Sequence, residues 1–375
     1  MTASITTFSQ PLEPAPQSRA TVNPWILNPV LDTIFGFGGL VWLFFFFHYF
    51  FLKGEGSETL LAVSAVGALI FAESHTASTI LTVYRTRATR RLFHNYTFGL
   101  ATIGIALILF GLVIPGSAPI YIKIYLLLVP HHFMNQSYGI ALLYCMKRSC
   151  KLGQLERISI RFFTQSVAWY AIFKQLTYRQ WSGNSLLNVE IPFWGPLPEV
   201  FCDTSEKVLL VSVLTLAGVV VWRSLRKTSE TVSDAYSAPI PIPAQLTLLT
   251  GALAFTMGPA ATGIYWLYVS AFFHGTQYLM IAAAKYARES NENGVEASKP
   301  GAGILLKGPA LKFLALSLML SLLFYHGIPG LVDNLGFTVL QCGAIMFAIL
   351  NIFHIITDSA IWKLGDRKTR EILLS

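Results

Sequence analysis

Residues 351–362 read Asn-Ile-Phe-His-Ile-Ile-Thr-Asp-Ser-Ala-Ile-Trp and close the last long apolar run of the chain. On a helix, Asn351, His354 and Asp358 lie at positions i, i+3 and i+7, so they share one face. Ionisable groups inside a membrane are costly, and they usually face the protein interior and mark a site. The stretch therefore predicts a membrane helix that presents an amide, an imidazole and a carboxylate to the interior of a helical bundle.

The composition is that of a membrane protein. Of the 375 residues, 54% are hydrophobic and only 12% are charged, whereas soluble domains carry roughly 25% charged residues. The net charge of +8 predicts no nucleic-acid partner, because the basic residues cluster at the ends of apolar runs, as the positive-inside rule describes. The four cysteines form no CxxC pair and indicate neither a disulfide framework nor a zinc ribbon.

The apolar runs predict an all-α fold, a polytopic transmembrane helical bundle of about ten spans, since roughly 20 residues cross a bilayer as a helix. The predicted spans are 31–52, 59–84, 96–114, 119–146, 158–176, 208–222, 246–261, 263–284, 311–325 and 337–361. The fifth span contains Arg161 and Lys174, whose long side chains can reach an interface. Loops after even-numbered spans are basic and the others are neutral or acidic, which predicts that both termini are cytoplasmic.

The chain divides into three predicted regions. Residues 1–24 are rich in Ser, Thr, Pro and Gln and indicate a disordered tail, without the pattern of a cleavable signal peptide. Residues 25–362 form the transmembrane domain, whose long outer loop at 177–206 has the aromatic and proline content of an ordered cap. Residues 363–375 form a basic cytoplasmic tail. We expect an integral protein of a bacterial inner membrane, plasma or thylakoid-type, surrounded by membrane lipids, and its oligomeric state stays open.

Histidines recur inside the predicted spans. His75, His132, His274 and His354 lie on four even-numbered spans, each roughly 15–29 Å from the outer boundary at 1.5 Å per residue. Taken singly, a membrane histidine more often forms an interhelical hydrogen bond than a metal bond. Four of them at comparable depth favour a metal site, because imidazole is the commonest protein ligand for zinc, copper and iron. His48, His94 and His326 lie elsewhere and are interpreted as structural or interfacial.

Polar neighbours complete the predicted site. The candidate metal ligands are His75, His131, His132, His274 and His354, and it stays open whether His131 or His132 faces the centre. The candidate cofactor-binding residues, which orient ligands or line the cavity, are Gln136, Tyr138, Gln277 and Asn351, and Tyr278 is a second tyrosine that could line it. Asp358 and Glu73 are the candidate catalytic residues: Asp358 would orient His354 or accept a proton, and Glu73 would act as a carboxylate ligand or pair with a cation.

The motif Asn351-x-x-His354-x-x-x-Asp358-x-x-Ile361-Trp362, together with His75 and with His132-x-x-x-Gln136-Ser137-Tyr138-Gly139, resembles a group of uncharacterised polytopic bacterial membrane proteins. More distantly, these motifs resemble the Brp/Blh family of membrane β-carotene dioxygenases. That resemblance implies a histidine-bound iron that cleaves carotene to retinal, with four ligands: His75, His132, His274 and His354. It covers four short motifs of the membrane core and includes neither the N-terminal tail nor the outer loop.

The favoured hypothesis is a membrane-embedded non-haem iron oxygenase that acts on a hydrophobic lipid, isoprenoid or carotenoid-like substrate and draws on an electron donor. The first alternative is a b-type haem protein that exchanges electrons with a quinone, which requires two histidines facing each other. A transporter or proton relay could instead use Glu73, His75 and Asp358. The last alternative is a scaffold without enzymatic activity, in which the polar groups hold helices together.

Overall fold

The computed structural model of the protein describes residues 24–47, 50, 66–84, 90–91, 93–114, 116–225, 238–256, 265–292 and 308–362. The predicted all-α class is confirmed for these residues, whose strands form one two-stranded hairpin of four residues. The predicted tails at 1–24 and 363–375 lie outside the described residues, except for Pro24.

Eleven main helices make up the described part of the chain. They are α1 (Pro29–Gly36), α2 (Gly39–Phe47), α3 (Ser74–Tyr84), α4 (Asn95–Val113), α5 (Ser117–Lys147), α6 (Gln154–Thr177), α7 (Glu199–Leu225), α8 (Ile242–Phe255), α9 (Tyr265–Glu292), α10 (Gly308–Asp333) and α11 (Val339–Ile361). A π-helical turn, Ala68–Glu73, leads directly into α3. Each predicted span coincides with a helix over its described residues, with α1 and α2 sharing the first span.

Four of these helices are long and apolar enough to cross a membrane: α4, α7, α10 and α11. A fifth candidate arises if α1 and α2, which are bent by 53° at their junction, count as one span. Helices α5 and α9 are also long, with 31 and 28 residues, but polar side chains in their middles lower their mean hydropathy. The described helices are therefore typical of an integral membrane protein, and the two long polar helices, α5 and α9, carry His132 and His274 of the predicted site.

The junction between α1 and α2 is fixed by a close contact with α8. Gly38 has a φ of +83°, and a Cβ atom there would lie 2.5 Å from the Thr250 side chain, so both the turn and the contact require glycine. Thr250 donates a hydrogen bond to the Phe37 carbonyl at 2.8 Å and accepts one from Trp42 Nε1, also at 2.8 Å. This junction also places the Gly36 carbonyl against α9, where it supports a side chain of the site described below.

Outside the central helices, α6 packs against α5, and α7 packs against α6. The predicted outer loop at 177–206 contains a helical turn, Arg179–Ser182, and a hairpin of β1 (Ser185–Leu186) and β2 (Val189–Glu190). Its last residues belong to α7, which begins at Glu199. A buried ion pair joins the two helices at their other end, with Arg223 Nη1 3.2 Å from Glu156 Oε1.

The centre of the bundle is formed by α3, α5, α9 and α11. Helix α11 packs against α3, α4 and α5, while α9 packs against α3 and α10. The buried side chains of α11 recur every three or four positions, from Ile345 through Ile349 to His354 and Asp358, so a single stripe faces the interior. The polar groups of residues 351–358 continue that stripe and therefore face the other central helices.

Candidate metal centre

Four histidines meet at the centre of the bundle, one from each central helix: His75, His132, His274 and His354. One ring nitrogen from each lies within 4.8 Å of the others, and all four side chains are buried. His354 Nε2 lies 3.0 Å from His75 Nε2 and 3.0 Å from His132 Nε2. The His274 ring completes the group, with its centroid 4.6 Å from that of His132 and 4.8 Å from that of His75.

The hydrogen bonds of the outer nitrogens determine which ring atoms carry protons. His75 Nδ1 faces the carbonyl of Ala72, which can only accept, so Nδ1 holds the proton of the neutral ring and Nε2 is a bare lone pair. His354 Nδ1 lies 2.8 Å from Thr79 Oγ1, which donates its own proton to Asp358 Oδ1 at 3.4 Å. When Thr79 donates to Asp358, it accepts from His354 Nδ1–H, and His354 Nε2 is then also a bare lone pair. In that arrangement two lone pairs lie 3.0 Å apart and repel each other unless a cation lies between them.

His274 points to the same conclusion. His274 Nε2 is buried and has no hydrogen-bond partner among the described residues, and a buried nitrogen without a partner is unfavourable. Around an ion with bonds of about 2.1 Å, neighbouring nitrogens lie about 3.4 Å apart at tetrahedral angles and about 3.0 Å apart at right angles, and the latter arrangement leaves further coordination positions. The two 3.0 Å separations match this range, and the widest separation in the group, at most 4.8 Å, would have to shorten. The buried four-histidine group could therefore bind a metal ion.

A polar network fixes the orientation of His354. The Thr79 hydroxyl lies 2.8 Å from the Tyr278 hydroxyl as well as 2.8 Å from His354 Nδ1, so it can accept from both while donating to Asp358. Ligating histidines usually have such a partner on the nitrogen that faces away from the metal. The network thus supplies one, and it joins three helices: α3, α9 and α11.

A second network positions His274. Gln136 Nε2 on α5 donates to the His274 carbonyl at 3.1 Å and to Gln277 Oε1 at 3.0 Å. Gln277 in turn donates from Nε2 to the Gly36 carbonyl at the end of α1. The ring of Phe133 stacks on the His274 ring, with centroids 3.9 Å apart and planes 10° apart. These contacts lock α5, α9 and α1 together behind the histidine group.

The predicted residue Asn351 belongs to a third network that touches α3 beside His75. Its Oδ1 accepts from Thr76 Oγ1 at 3.0 Å, and its Nδ2 donates to the Tyr325 hydroxyl at 3.3 Å and to the Phe347 carbonyl at 2.8 Å. Asn351 therefore joins α3, α10 and α11 one turn away from the histidines. Its role is to hold the ligand-bearing helices in register.

Three predicted residues lie elsewhere. His131 is half-buried and packs its ring against Trp169 of α6, with centroids 4.8 Å apart, so His132 is the member of the pair that joins the group. Glu73 Oε2 lies 3.3 Å from His326 Nε2, which makes Glu73 the partner of a histidine interpreted from sequence as structural or interfacial. Tyr138 is partly buried and packs against the apolar core. The tyrosine beside the histidines is Tyr278, whose ring centroid is 5.4 Å from that of His75 and 5.6 Å from that of His354.

Sequence reasoning missed Thr79, which connects His354 to Asp358 and Tyr278. Thr79 follows His75 by four residues, so the two share a face of α3. That spacing was a usable signal. However, Thr79 orients a histidine of another helix, and this contact depends on α3 and α11 being neighbours.

An apolar cavity of about 450 Å³ adjoins the histidine group on one side. Helices α3, α4, α10 and α11 surround it, and His354 and Thr79 form part of its wall. The rest of the lining is almost wholly aliphatic and aromatic. The arrangement brings a hydrophobic space directly against the face of the site that carries Thr79 and His354.

The comparisons add no relative: no protein-family model, no curated protein and no solved structure matches the chain. The chemistry of the centre therefore has to be inferred from its own atoms. These atoms are four buried imidazoles, a carboxylate linked to them through a hydroxyl, and an apolar cavity.

Proposed function

We propose that the protein is a membrane-embedded non-haem iron oxygenase that acts on a hydrophobic lipid, isoprenoid or carotenoid-like substrate. The observation that carries the proposal is the convergence of four buried imidazoles beside an apolar cavity that reaches His354. Iron suits imidazole ligands, and histidine-rich iron sites support oxygen chemistry. The resemblance to membrane β-carotene dioxygenases implies the same four ligands.

Each part of the site has a role in this proposal. The four histidines would hold iron, which would supply the activation of dioxygen. Thr79 and Asp358 keep His354 in the tautomer that points Nε2 at the ion, and Asp358 is the group placed to accept a proton through the Thr79 hydroxyl. The apolar cavity holds the substrate and excludes water from the reacting atoms.

The packing of the rings favours a single ion over haem b. A bis-histidine haem needs a porphyrin plane between two facing histidines. The centroids of His75 and His354 are 4.4 Å apart, and even the more distant pair, His274 and His354, is separated by 6.2 Å. His132 lies within 4.8 Å of both His274 and His354, so side chains already fill the space that a macrocycle would occupy.

The membrane arrangement is part of the same proposal. About ten helices would cross a bacterial inner membrane with both termini in the cytoplasm, because basic loops alternate with neutral or acidic ones. The substrate would then reach the cavity from the lipid phase, and an electron donor would act from the cytoplasmic side.

The test is an absorption spectrum with elemental metal analysis on detergent-purified protein. We expect about one iron per chain, no Soret band, and oxygen uptake when hydrophobic substrates are screened. His354→Ala should lose the metal and the oxygen uptake together, while His131→Ala, a matched change at a histidine outside the group, should keep both. A Soret band would indicate haem and quinone chemistry. Absence of any metal after reconstitution would leave the transporter and the scaffold as the remaining hypotheses.

A further inference from the structure

We infer that the cavity beside His354 binds a single-chain amphiphile with an anionic head group, whose head lies at the end of the cavity nearest Arg90 and Arg91. The claim that this amphiphile is the substrate rests on the proposed oxygenase function. The claim that it binds rests on the cavity alone, so the two can be tested separately.

The shape of the cavity suits one extended chain. Its wall includes residues of α4 from Tyr96 to Leu109 and residues of α11 from Met346 to Thr357. At 1.5 Å per residue these stretches are about 20 Å and about 16 Å long, so the cavity is elongated along the helix axes. A volume of about 450 Å³ over that length suits one extended hydrocarbon chain.

The two ends of the cavity differ in polarity. At one end the wall is formed by Leu109, Met346 and Phe324, which are all apolar. At the other end lie Tyr84 and Tyr96, and amphipathic aromatic side chains of this kind are typical of the membrane interface. A molecule that fits both ends has an apolar tail and a polar head.

Hydrogen bonds connect the polar end of the cavity to a cationic segment. The Tyr84 hydroxyl donates to the Thr97 carbonyl, and the Thr97 hydroxyl lies 3.0 Å from the carbonyls of Phe93 and His94 and 3.3 Å from that of Arg90. Arg90 and the adjacent Arg91 are both exposed. Cationic side chains beside a membrane attract anionic head groups, at about 1 kcal/mol for each Lys or Arg near the surface. The complementary head group is therefore a carboxylate or a phosphate.

The position of His354 along the cavity determines which part of the chain meets the site. His354 is level with Thr79, to which it is hydrogen-bonded, and Thr79 is five residues from Tyr84. That distance is about 7–8 Å along the helix, whereas Met346 is eight residues from His354, or about 12 Å. The histidine group would thus meet the bound chain nearer to its head than to its tail.

Gly104 sets the width of the cavity at this level. A Cβ atom on Gly104 would lie 2.9 Å from Cε2 of Phe353, the residue before His354. A larger side chain would push the Phe353 ring or fill the cavity. Gly99, on the same helix, has no atom within 4 Å of its own added Cβ, so it provides a matched control position.

The experiment measures anaerobic equilibrium binding of radiolabelled oleate to the purified full-length protein in neutral phosphatidylcholine nanodiscs. Oleyl alcohol has the same chain without a charge, so it tests whether the anionic head group matters. Dioleoyl phosphatidic acid has an anionic head group and two chains, so it tests whether the cavity accepts a second chain. We expect oleate to bind at least 10-fold more tightly than either. The double change Arg90→Gln with Arg91→Gln should weaken oleate binding by about 10-fold to 30-fold without affecting the alcohol, while Lys312→Gln, at another exposed cation, should change neither.

Gly104→Leu should weaken binding of both oleate and oleyl alcohol by at least 10-fold, and Gly99→Leu should leave them unchanged. If Gly104→Leu fails to fold, Ala101→Phe tests the same wall. Equal binding of alcohol and oleate, tight binding of phosphatidic acid, or full binding by the cavity-filling variant would overturn the inference. Oleate binding without oleate-dependent oxygen uptake would refute only the claim that this amphiphile is the substrate, and uptake on another substrate without oleate binding would refute only the binding inference.

Discussion

Replacing Thr79 with Val is expected to weaken metal binding while leaving the bundle folded. The Thr79 hydroxyl lies 2.8 Å from His354 Nδ1, 2.8 Å from the Tyr278 hydroxyl and 3.4 Å from Asp358 Oδ1. Valine keeps the branched shape of threonine and removes the hydroxyl that all three contacts share. The perturbation therefore acts on the orientation of His354 and leaves the volume of the site nearly unchanged.

The expected loss of metal affinity follows from the cost of leaving His354 Nδ1–H without its acceptor. His354 is buried, so its Nδ1–H would lose its acceptor in a place that water does not reach, at a cost of about 1–3 kcal/mol. At 1.4 kcal/mol for each factor of ten, this corresponds to a loss of about 5-fold to 150-fold in metal affinity. A loss of about 10-fold to 100-fold is typical when the hydrogen-bond partner of a ligating histidine is removed.

The assay is competition for the metal between the detergent-purified protein and a chromogenic chelator at fixed pH. Thr79→Ser should keep most of the affinity, because it keeps the hydroxyl. Thr82→Val, on the same helix, removes a hydroxyl that donates only to the Ser78 carbonyl at 2.9 Å, and it should bind metal as the unmodified protein does. Thr79→Val with an affinity within twofold of the unmodified protein would show that this hydroxyl does not orient a ligand.

Two further predictions concern stability, measured as the free energy of unfolding in detergent. Glu156→Ala leaves Arg223 buried without its carboxylate partner and should cost about 3–5 kcal/mol, whereas Glu190→Ala, in an ion pair whose glutamate is 85% exposed, should cost at most about 1 kcal/mol. Asp32→Ala removes a fully buried carboxylate that accepts two backbone N–H groups, at 2.7 and 3.0 Å. It should cost about 2–5 kcal/mol, and the exposed Asp333→Ala should cost little. If a substitution at a buried residue and its exposed control lowered the free energy of unfolding by similar amounts, the prediction would be wrong.

The histidine group could be predicted from the sequence because depth in a membrane constrains position. His75, His132, His274 and His354 lie at comparable depths on separate apolar runs, and polar groups there avoid lipid. The structure brings these four together. Consecutive histidines were harder to assign, since neighbouring residues on a helix point about 100° apart. The choice between His131 and His132 depends on where α6 packs, because Trp169 of that helix receives the His131 ring.

The contacts that the sequence could not supply are those between helices far apart in the chain. Glu73 lies two residues before His75 and points away from it on the helix. Its partner is His326 on α10, more than 250 residues later. In the same way, Thr79 orients His354 across 275 residues. Local periodicity gives the face of each helix but not the identity of its neighbour, and both contacts depend on that neighbour.

The site is asymmetric, and its two sides differ in how openly they are packed. His75 belongs to α3 and His354 to α11. Among the described residues, the apolar cavity that touches Thr79 and His354 lies on this side of the site. His132 and His274 belong to α5 and α9, where Gln136, Gln277 and the stacked Phe133 ring close the structure behind them.

A catalytic metal site needs an accessible coordination position as well as rigid ligands. In the proposed iron site, the helix pair α5 and α9 provides the rigid wall. The pair α3 and α11 borders the open side, so the hydroxyl that orients His354 also stands where the substrate enters. A change at Thr79 would therefore affect metal affinity and substrate binding together, whereas a change at Gln136 would affect metal affinity alone.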